Sequence, residues 1–442
     1  MTVYRERVLL VGTISPQRFP SRDGLLTYGR DSTHVSQKDR DEDEPLAELE
    51  QLAITAGAIV IDKITQKKQK PDVAYYIGSG KVAELKEFAD ENDIDAVIFD
   101  NDLSPGQIRN LEDEIKTKVI DRTELILDIF ATHARSLQAK LQVELAQLEY
   151  TLPRLKHMWT HLSKIEGGVG IGQRGPGEKQ LEMDRRIARD RITKLKREIG
   201  EINKHHQRTT ENRSGYFNIA ILGYTNAGKS ALMNALTGTN CLVENKLFST
   251  LDTKTQLWNP VNHYKALLSD TVGFIRNLPH HLVASFNATL QEVIEADLLL
   301  HIVDIFQPGI GQRLQAVDKV LEELGCSQKP RLLVFNKIDK IDPLELQIVG
   351  KEFPDSVFIS AKEKKGLDKL ADRIVEFIAK NETLSTFSVS AGDGKFLSYL
   401  EELGNITSKT YRDGMVRIKI RLSPHAKAKV TGYLEANKKK DK

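Results

Sequence analysis

The chain has 442 residues, of which 64 are basic and 62 acidic, for a net charge of +2; 40% are apolar and 29% charged. At roughly 150 residues per domain this predicts about three domains that fold without staples, and it excludes a polyanion or a supercationic tail protein. The two cysteines, Cys241 and Cys326, make neither a disulfide framework nor a zinc site alone, which fits a reducing cytosol.

No window approaches ~18 consecutive apolar residues, so no membrane span is expected. The opening MTVYRERVLLVGT puts charges inside what would be the core of a signal peptide. The expected location is the cytoplasm, with peripheral membrane association left open.

Residues 1–132 alternate apolar runs with helical patterns. Arg7 to Gly12 is apolar, Leu46 to Ala56 helical, Ala58 to Ile64 a strand and Lys81 to Glu91 a helix. Ala96 to Asp100 is a strand, Gln107 to Lys116 a helix and Lys118 to Asp121 a strand. This alternation predicts an N-terminal parallel α/β subdomain. In residues 133–213, Leu137, Leu141, Leu145, Leu148 and Leu152 form one helical stripe, and Ala188, Ile192, Leu195, Ile199 and Ile202 form another. Between them, Gly167 to Gly177 holds six glycines in eleven residues, which disfavours helix. The prediction is an antiparallel helical hairpin with a glycine-rich tip loop. Residues 151–213 carry 15 basic and 8 acidic residues, a net of +7. That is either a solvated helix face or a phosphate-contact surface.

Residues 214–381 begin a new alternation, a doubly wound sheet. A polar linker is expected over Asn381 to Asp393, and residues 388–442 read as a small basic α+β domain. Its helix is Gly394 to Leu403 and its strand Met415 to Leu422. Residues 404–442 carry 11 basic and 3 acidic residues, a net of +8.

The strongest motif is Gly223-Tyr224-Thr225-Asn226-Ala227-Gly228-Lys229-Ser230, a fit to G-x-x-x-x-G-K-[ST] between an apolar strand and a helix. Its glycines let backbone N–H groups close around phosphate oxygens, helped by the helix N-terminus. Lys229 would reach the β- and γ-phosphates, and Ser230 would offer a hydroxyl to Mg²⁺. Asp270-Thr271-Val272-Gly273 follows another apolar run. There Asp270 would hold Mg²⁺ through water, and the Gly273 N–H would sense the γ-phosphate. Between them lies Phe248-Ser249-Thr250-Leu251-Asp252-Thr253. Thr250 is the expected hydroxyl for Mg²⁺, with its carbonyl toward the attacking water; Thr253 is the runner-up. Asn336-Lys337-Ile338-Asp339 ends a strand, and a carboxylate there accepts both N1–H and the 2-amino group of guanine, which selects GTP over ATP. Asn336 would bond N7 or the neighbouring loops. Ser360-Ala361-Lys362 follows the next apolar run, where its backbone N–H groups would meet guanine O6.

Two other patterns fail on context. Gly170-x-Gly172-x-x-Gly175 follows no strand, and Gly78-Ser79-Gly80-Lys81 has Tyr75 where the first glycine belongs. His205-His206 and His280-His281 lack metal-ligand company.

The five motifs in order resemble those of translation-factor-related P-loop GTPases. The reaction implied is in-line attack of water on the γ-phosphate, with charge stabilised by Lys229, Mg²⁺ and backbone amides. Phe274 stands where Ras-like GTPases place a water-orienting glutamine, which predicts slow intrinsic hydrolysis stimulated by a partner. Asn226 matches the asparagine of potassium-activated P-loop GTPases, so potassium dependence is a hypothesis of the sequence.

Over nearly its whole length the chain resembles the HflX-type GTPases. The resemblance rests on GQRGPGEKQLE at 172–182, GYTNAGKS at 223–230, DTVGFIRNLPH at 270–280 and AKLQVELAQL at 139–148. Two positions depart: Lys179 replaces a usual threonine, and Thr253 a usual proline. The resemblance implies a bacterial GTPase that binds the large ribosomal subunit and dissociates stalled or idle ribosomes under stress. It implies that the hairpin loop approaches rRNA near the peptidyl-transferase centre, with Gly172, Gln173, Arg174, Gly175 and Lys179 as RNA-contact candidates. Some members bind ATP through the N-terminal domain, but no motif in residues 1–130 signals it here. The alternative reading is an RNA-binding GTPase of subunit maturation or RNA remodelling; a third is a scaffold that binds GTP but barely turns it over. No DNA partner is expected, and the protein is expected to be monomeric.

Overall fold

The structure is a computed structural model. It describes residues 5–14, 46–158, 176–213, 216–239, 247–248, 253–260, 264–276, 287–412, 414–422, 427, 430–431 and 433. The chain divides into two compact units. The first comprises residues 1–202, 244–252 and 275–288; the second comprises 203–243, 253–274 and 289–442.

The first unit opens with β1 (Arg7–Ile14), α1 (Ala47–Ala56), β2 (Ile59–Lys67), α2 (Ser79–Glu91) and β3 (Ala96–Phe99). It continues with α3 (Pro105–Ile115), β4 (Lys118–Asp121) and α4 (Arg122–His133). The strands form a four-stranded parallel sheet in the order β2-β1-β3-β4. All four residues of β3 are buried, as expected of a parallel strand covered on both faces. Helix α3 starts on a capping box between Ser104 and Gln107, with Pro105 in its first turn. The predicted alternation holds, with ends shifted by a few residues.

Two long helices follow: α5 (Leu137–Met158) and α6 (Pro176–Arg213). They pack through Leu141, Leu145, Ile192 and Leu195, flanked by Leu148, Leu152, Ile199 and Ile202; of the two expected stripes, Ala188 lies outside this cluster and Leu137, the first residue of α5, is exposed. Arg191 clasps Glu144 through two hydrogen bonds of 2.6 and 2.7 Å, and Lys196 pairs with Glu149. Helix α6 starts at Pro176, so Pro176 and Gly177 belong to the helix rather than to the expected loop; proline suits a first helical turn because its φ is preset and its missing N–H would be unpaired anyway. The rest of the tip loop lies outside the described residues.

The second unit holds β5 (Phe217–Gly223), α7 (Lys229–Thr237), β6 (Lys254–Trp258), β7 (Ala266–Asp270), α8 (Asn287–Glu295) and β8 (Leu298–Asp304). After these come α9 (Ile310–Glu323), β9 (Arg331–Asn336), α10 (Pro343–Glu352), β10 (Val357–Phe358) and α11 (Leu367–Asn381). The sheet order is β10-β9-β8-β5-β7-β6, parallel except for edge strand β6. Every residue of β8 is buried. The core includes Ile219, Ile221, Leu232, Leu300, Ile302, Val334, Ile359 and Ile374.

The last segment contains β11 (Thr383–Ser390), α12 (Gly394–Leu403), β12 (Asn405–Arg412) and β13 (Met415–Leu422), an antiparallel sheet in the order β11-β13-β12. Residues 383–390, read from sequence as linker, are therefore a strand. The inward positions of β11 include Ser385 beside Phe387 and Val389, so its period-two apolar signal is broken at a serine.

Candidate functional site

Strand β5 ends at Gly223, whose φ is +150°; a Cβ added there would lie 2.2 Å from the Ile302 carbonyl oxygen. Gly228 has φ +92°, and its added Cβ would lie 2.2 Å from Asn336 Nδ2. Both positions thus demand glycine for handedness and for space. Gly228 is the N-cap of α7 and supplies no side-chain cap, which leaves the first-turn N–H groups facing the loop as an anion seat. The Lys229 ammonium is buried and donates to the carbonyls of Tyr224 (2.9 Å) and Gly223 (3.3 Å). Burial pushes its pKa down to about 8, and the nearby Asp270 carboxylate opposes that shift.

The turn after β7 meets this loop. Ser230 Oγ donates to Asp270 Oδ2 at 2.6 Å, while Oδ1 of the same carboxylate is buried and makes no hydrogen bond among the described residues. Burial raises the Asp270 carboxyl above its usual range, with Lys229 opposing. Thr271 is buried and donates through Oγ1 to the Ile221 carbonyl at 2.8 Å, and Val272 is buried beside it. A Cβ on Gly273 would lie 2.8 Å from Thr225 Cγ2 and 2.9 Å from Lys229 Nζ. Phe274 is buried, and its backbone is stitched to the loop: its N–H donates to Gly223 O (3.1 Å), and its carbonyl accepts from Thr225 N–H (2.8 Å). Its ring offers no polar group to orient a water.

The other two motifs meet at the ends of β9 and β10. Asn336 is buried, and its amide joins two loops: Nδ2 donates to Ala227 O at 2.9 Å, and Oδ1 accepts from Ala361 N–H at 3.0 Å. Lys337, with φ +68°, donates to Asn226 O at 2.8 Å and pairs with Asp304 at 2.7 Å. Ile338 opens a short 3-10 turn, in which Asp339 is exposed. Buried Ser360 donates its hydroxyl to Asp339 Oδ1 at 2.6 Å, which holds that carboxyl below its usual range. Ala361 is buried and Lys362 exposed. Asp304, whose side chain is 4% exposed, is a brace that sequence reading did not single out. Its signal was a carboxylate closing the apolar run Leu298 to Val303.

Among the remaining candidates, Ser249, Thr250, Leu251, Asp252, Gly172, Gln173, Arg174 and Gly175 lie outside the described residues. Lys179 lies on α6, and Thr253 directly precedes β6. Phe248, in the first unit, is buried and stacks edge-on against Phe130 with ring centroids 4.7 Å apart. Ile275 and Arg276, which continue directly from Phe274, also belong to the first unit. Glu48 at the start of α1 accepts from Arg276 Nε and from Arg122 Nη2, both at 2.6 Å, and Arg122 Nη2 also donates to the Arg276 carbonyl at 3.2 Å. The neighbouring Asp121 binds α5, accepting from the Tyr150 hydroxyl (2.9 Å) and from Arg154 (3.0 Å). No group of three or more potential metal-ligating His, Cys, Asp or Glu residues occurs among the described residues, and no described helix is long and apolar enough to cross a membrane.

Loops joined in this way at the carboxyl edge of a mostly parallel sheet make the second unit a P-loop nucleotide-binding domain. Family models match residues 43–131 as "GTP-binding GTPase N-terminal", 133–213 as "GTP-binding GTPase Middle Region" and 218–337 as "50S ribosome-binding GTPase". A "GTPase HflX" of Caldanaerobacter subterraneus is 43% identical over 396 residues, 89% of this chain and 91% of that one. The Escherichia coli "GTPase HflX" is 39% identical over 384 residues, 86% of this chain and 90% of its own. A crystal structure of an "SsGBP and GDP complex" is 27% identical, covering 85% of this chain and 99% of that chain, with a TM-score of 0.46. The chain belongs to the HflX family of GTPases. It is a GTP-binding, GTP-hydrolysing enzyme.

Proposed function

We propose that this GTPase is a nucleotide-driven switch that binds the large ribosomal subunit and dissociates stalled or idle ribosomes. The observation that carries the reading is Phe274. It is buried, its main chain is occupied by the P-loop, and its ring supplies no water-orienting group at the position after Gly273. Such a site hydrolyses GTP slowly alone and needs a partner to order the attacking water. The matched family description, "50S ribosome-binding GTPase", supports the large subunit as that partner.

In this reading Lys229 neutralises charge on the β- and γ-phosphates, and the Gly273 N–H meets the γ-phosphate. The free buried oxygen of Asp270 beside Ser230 fits a divalent cation. Ser230, Asp270 and Thr250 would hold Mg²⁺, whose chemistry there is charge neutralisation on the phosphates. Asp339, with Ser360 fixing one oxygen, reads guanine; Asn336 and Lys337 hold the loops around it. Asn226 is the candidate potassium ligand, and equal rates in sodium and potassium would remove it from that role. The tip loop carrying Gly172, Gln173, Arg174 and Gly175, with Lys179 on the adjoining helix, contacts rRNA, where glycine permits close backbone approach and arginine pairs with phosphate.

The test couples both halves of the proposal. Asp339→Asn turns one acceptor into a donor, which favours xanthine over guanine. The variant should dissociate ribosomes with xanthosine triphosphate and fail with GTP, read by sedimentation. Retained guanine preference would refute the role of Asp339. A clean nucleotide switch with no change in sedimentation would refute ribosome dissociation and turn attention to subunit precursors.

A further inference from the structure

The C-terminal sheet lies beyond residue 337, outside the three matched regions. Its central strand, β13, alternates strictly: Val416, Ile418, Ile420 and Leu422 are buried, and Met415, Arg417, Lys419 and Arg421 are exposed. The buried set packs with Phe396 and Leu400 of α12 and with Val430. Helix α12 therefore lies on one face, and the cations stand on the other. The register places Ser388 and Thr410 beside Arg417, Thr386 and Ser408 beside Lys419, and Leu384 and Asn405 beside Arg421; Arg412 lies opposite Met415. No carboxylate stands opposite Arg417, Lys419 or Arg421 in this register. Among the described residues, the carboxylate that Arg421 influences is Glu382, at the foot of the sheet. By contrast, Lys409, on the α12 side, is paired with Glu401.

Cations repeated at every second residue of a strand stand about 7 Å apart and repel one another. Residues 404–442 carry +8 in a chain whose net charge is only +2. Such an array is matched by a row of anions. Among the described residues the face carries no aromatic side chain, since Tyr411 pairs with Val416 on the opposite side, so its strands offer no platform for stacking bases. Leu384 and Met415 lie at opposite ends, so it has no contiguous apolar patch for lipid.

We propose that the open face of the C-terminal sheet, through Arg417, Lys419 and Arg421, binds the phosphate backbone of structured RNA without reading sequence. The proposal rests on the ribosome-binding reading and gives the C-terminal domain its own contact.

The test uses the full chain carrying Arg417→Gln and Lys419→Gln together, with Lys409→Gln as a control on the opposite face. Basal GTP hydrolysis should be unchanged in both, since neither touches the nucleotide loops. Binding is measured between 50 and 200 mM salt to purified large subunits, to protein-free large-subunit rRNA and to anionic phosphatidylglycerol vesicles. Loss of two phosphate contacts should lower the logarithmic salt slope by about two on subunits and on rRNA, so the wild type loses ~12-fold more affinity across that range than the double variant. The control should keep the wild-type slope. An unchanged slope on rRNA overturns the proposal, as does a loss confined to intact subunits, which would assign the face to a ribosomal protein. A loss confined to vesicles overturns it too. If the wild type ignores subunits yet the double variant lowers the rRNA slope, the RNA face stands and the ribosome reading falls.

Discussion

Replacing Asn336 with alanine should damage nucleotide binding out of proportion to any contact with guanine. The residue is 2% exposed, and its amide ties the P-loop, at Ala227 O, to the loop carrying Ala361. Each hydrogen bond contributes about 0.5–1.5 kcal/mol net, and each buried partner left unpaired costs about 1–3 kcal/mol. Water entering the gap recovers part of that, so the two bonds together give roughly 2–4 kcal/mol. Free of the brace, the loops must be ordered by the nucleotide itself, and the loss appears as a ~30- to 1,000-fold rise in the GDP dissociation constant. Equilibrium binding of a fluorescent GDP measures this, with urea unfolding as the control for global stability. A dissociation constant within about threefold of the wild type would refute the brace and leave Asn336 a passive loop residue.

Gly273→Ala should abolish GTP hydrolysis and weaken GTP binding, because its Cβ would lie 2.9 Å from both Lys229 Nζ and Thr225 Cα; near-normal turnover in a phosphate-release assay would contradict this. His301 is buried in β8 with its pKa pushed down to about 3 by burial and by Arg331. Its unfolded form gains a proton below about pH 6.5 while the folded form does not, so stability is lost as pH falls through that window, by about 2 kcal/mol between pH 6.5 and 5. Denaturant titrations of wild type and His301→Leu should diverge there, and parallel pH profiles would remove the histidine from the account. Glu48→Gln should speed GDP release and lower the unfolding midpoint, since it removes the ion pairs of Glu48 with Arg276 and with Arg122, whose side chain is 3% exposed. A double-mutant cycle with Arg276→Ala that shows no coupling would contradict that link.

The nucleotide loops were legible because their chemistry requires particular residue types at fixed spacings. Gly223, Gly228, Lys229, Ser230, Asp270, Gly273, Asn336, Asp339 and Ser360 all lie at the carboxyl edge of one sheet, at strand ends, in the turns that follow them or in the first turn of α7. What spacing left open was the work done between motifs. Asn336 was weighed as a base contact or a loop contact, and its amide bonds two loops. Asp304 closes an apolar run, and nothing local marks it as the partner of Lys337. The substitution at Phe274 was visible, but its backbone bonds to Gly223 and Thr225 come from tertiary pairing. Strand β11 was missed because an open antiparallel sheet shows water a polar face, and Ser385 interrupts the buried one. Apart from Leu137 and Ala188, the helical stripes match the seam, because both sides of a two-helix seam repeat at helical spacing. The segment from Phe248 to Thr253 was read only as the source of a threonine for Mg²⁺, and Phe274 only as the residue in place of a glutamine. Neither composition nor spacing foretold that Phe248 and Arg276 would pack with residues of the N-terminal subdomain.

The most direct measurement is steady-state GTP hydrolysis, alone and with purified large ribosomal subunits. A buried Phe274 predicts slow turnover alone and strong stimulation by the subunits, with the stimulation lost in Lys229→Ala. Rapid hydrolysis without subunits, or a rate that subunits leave unchanged, would contradict the claim that a partner completes this site.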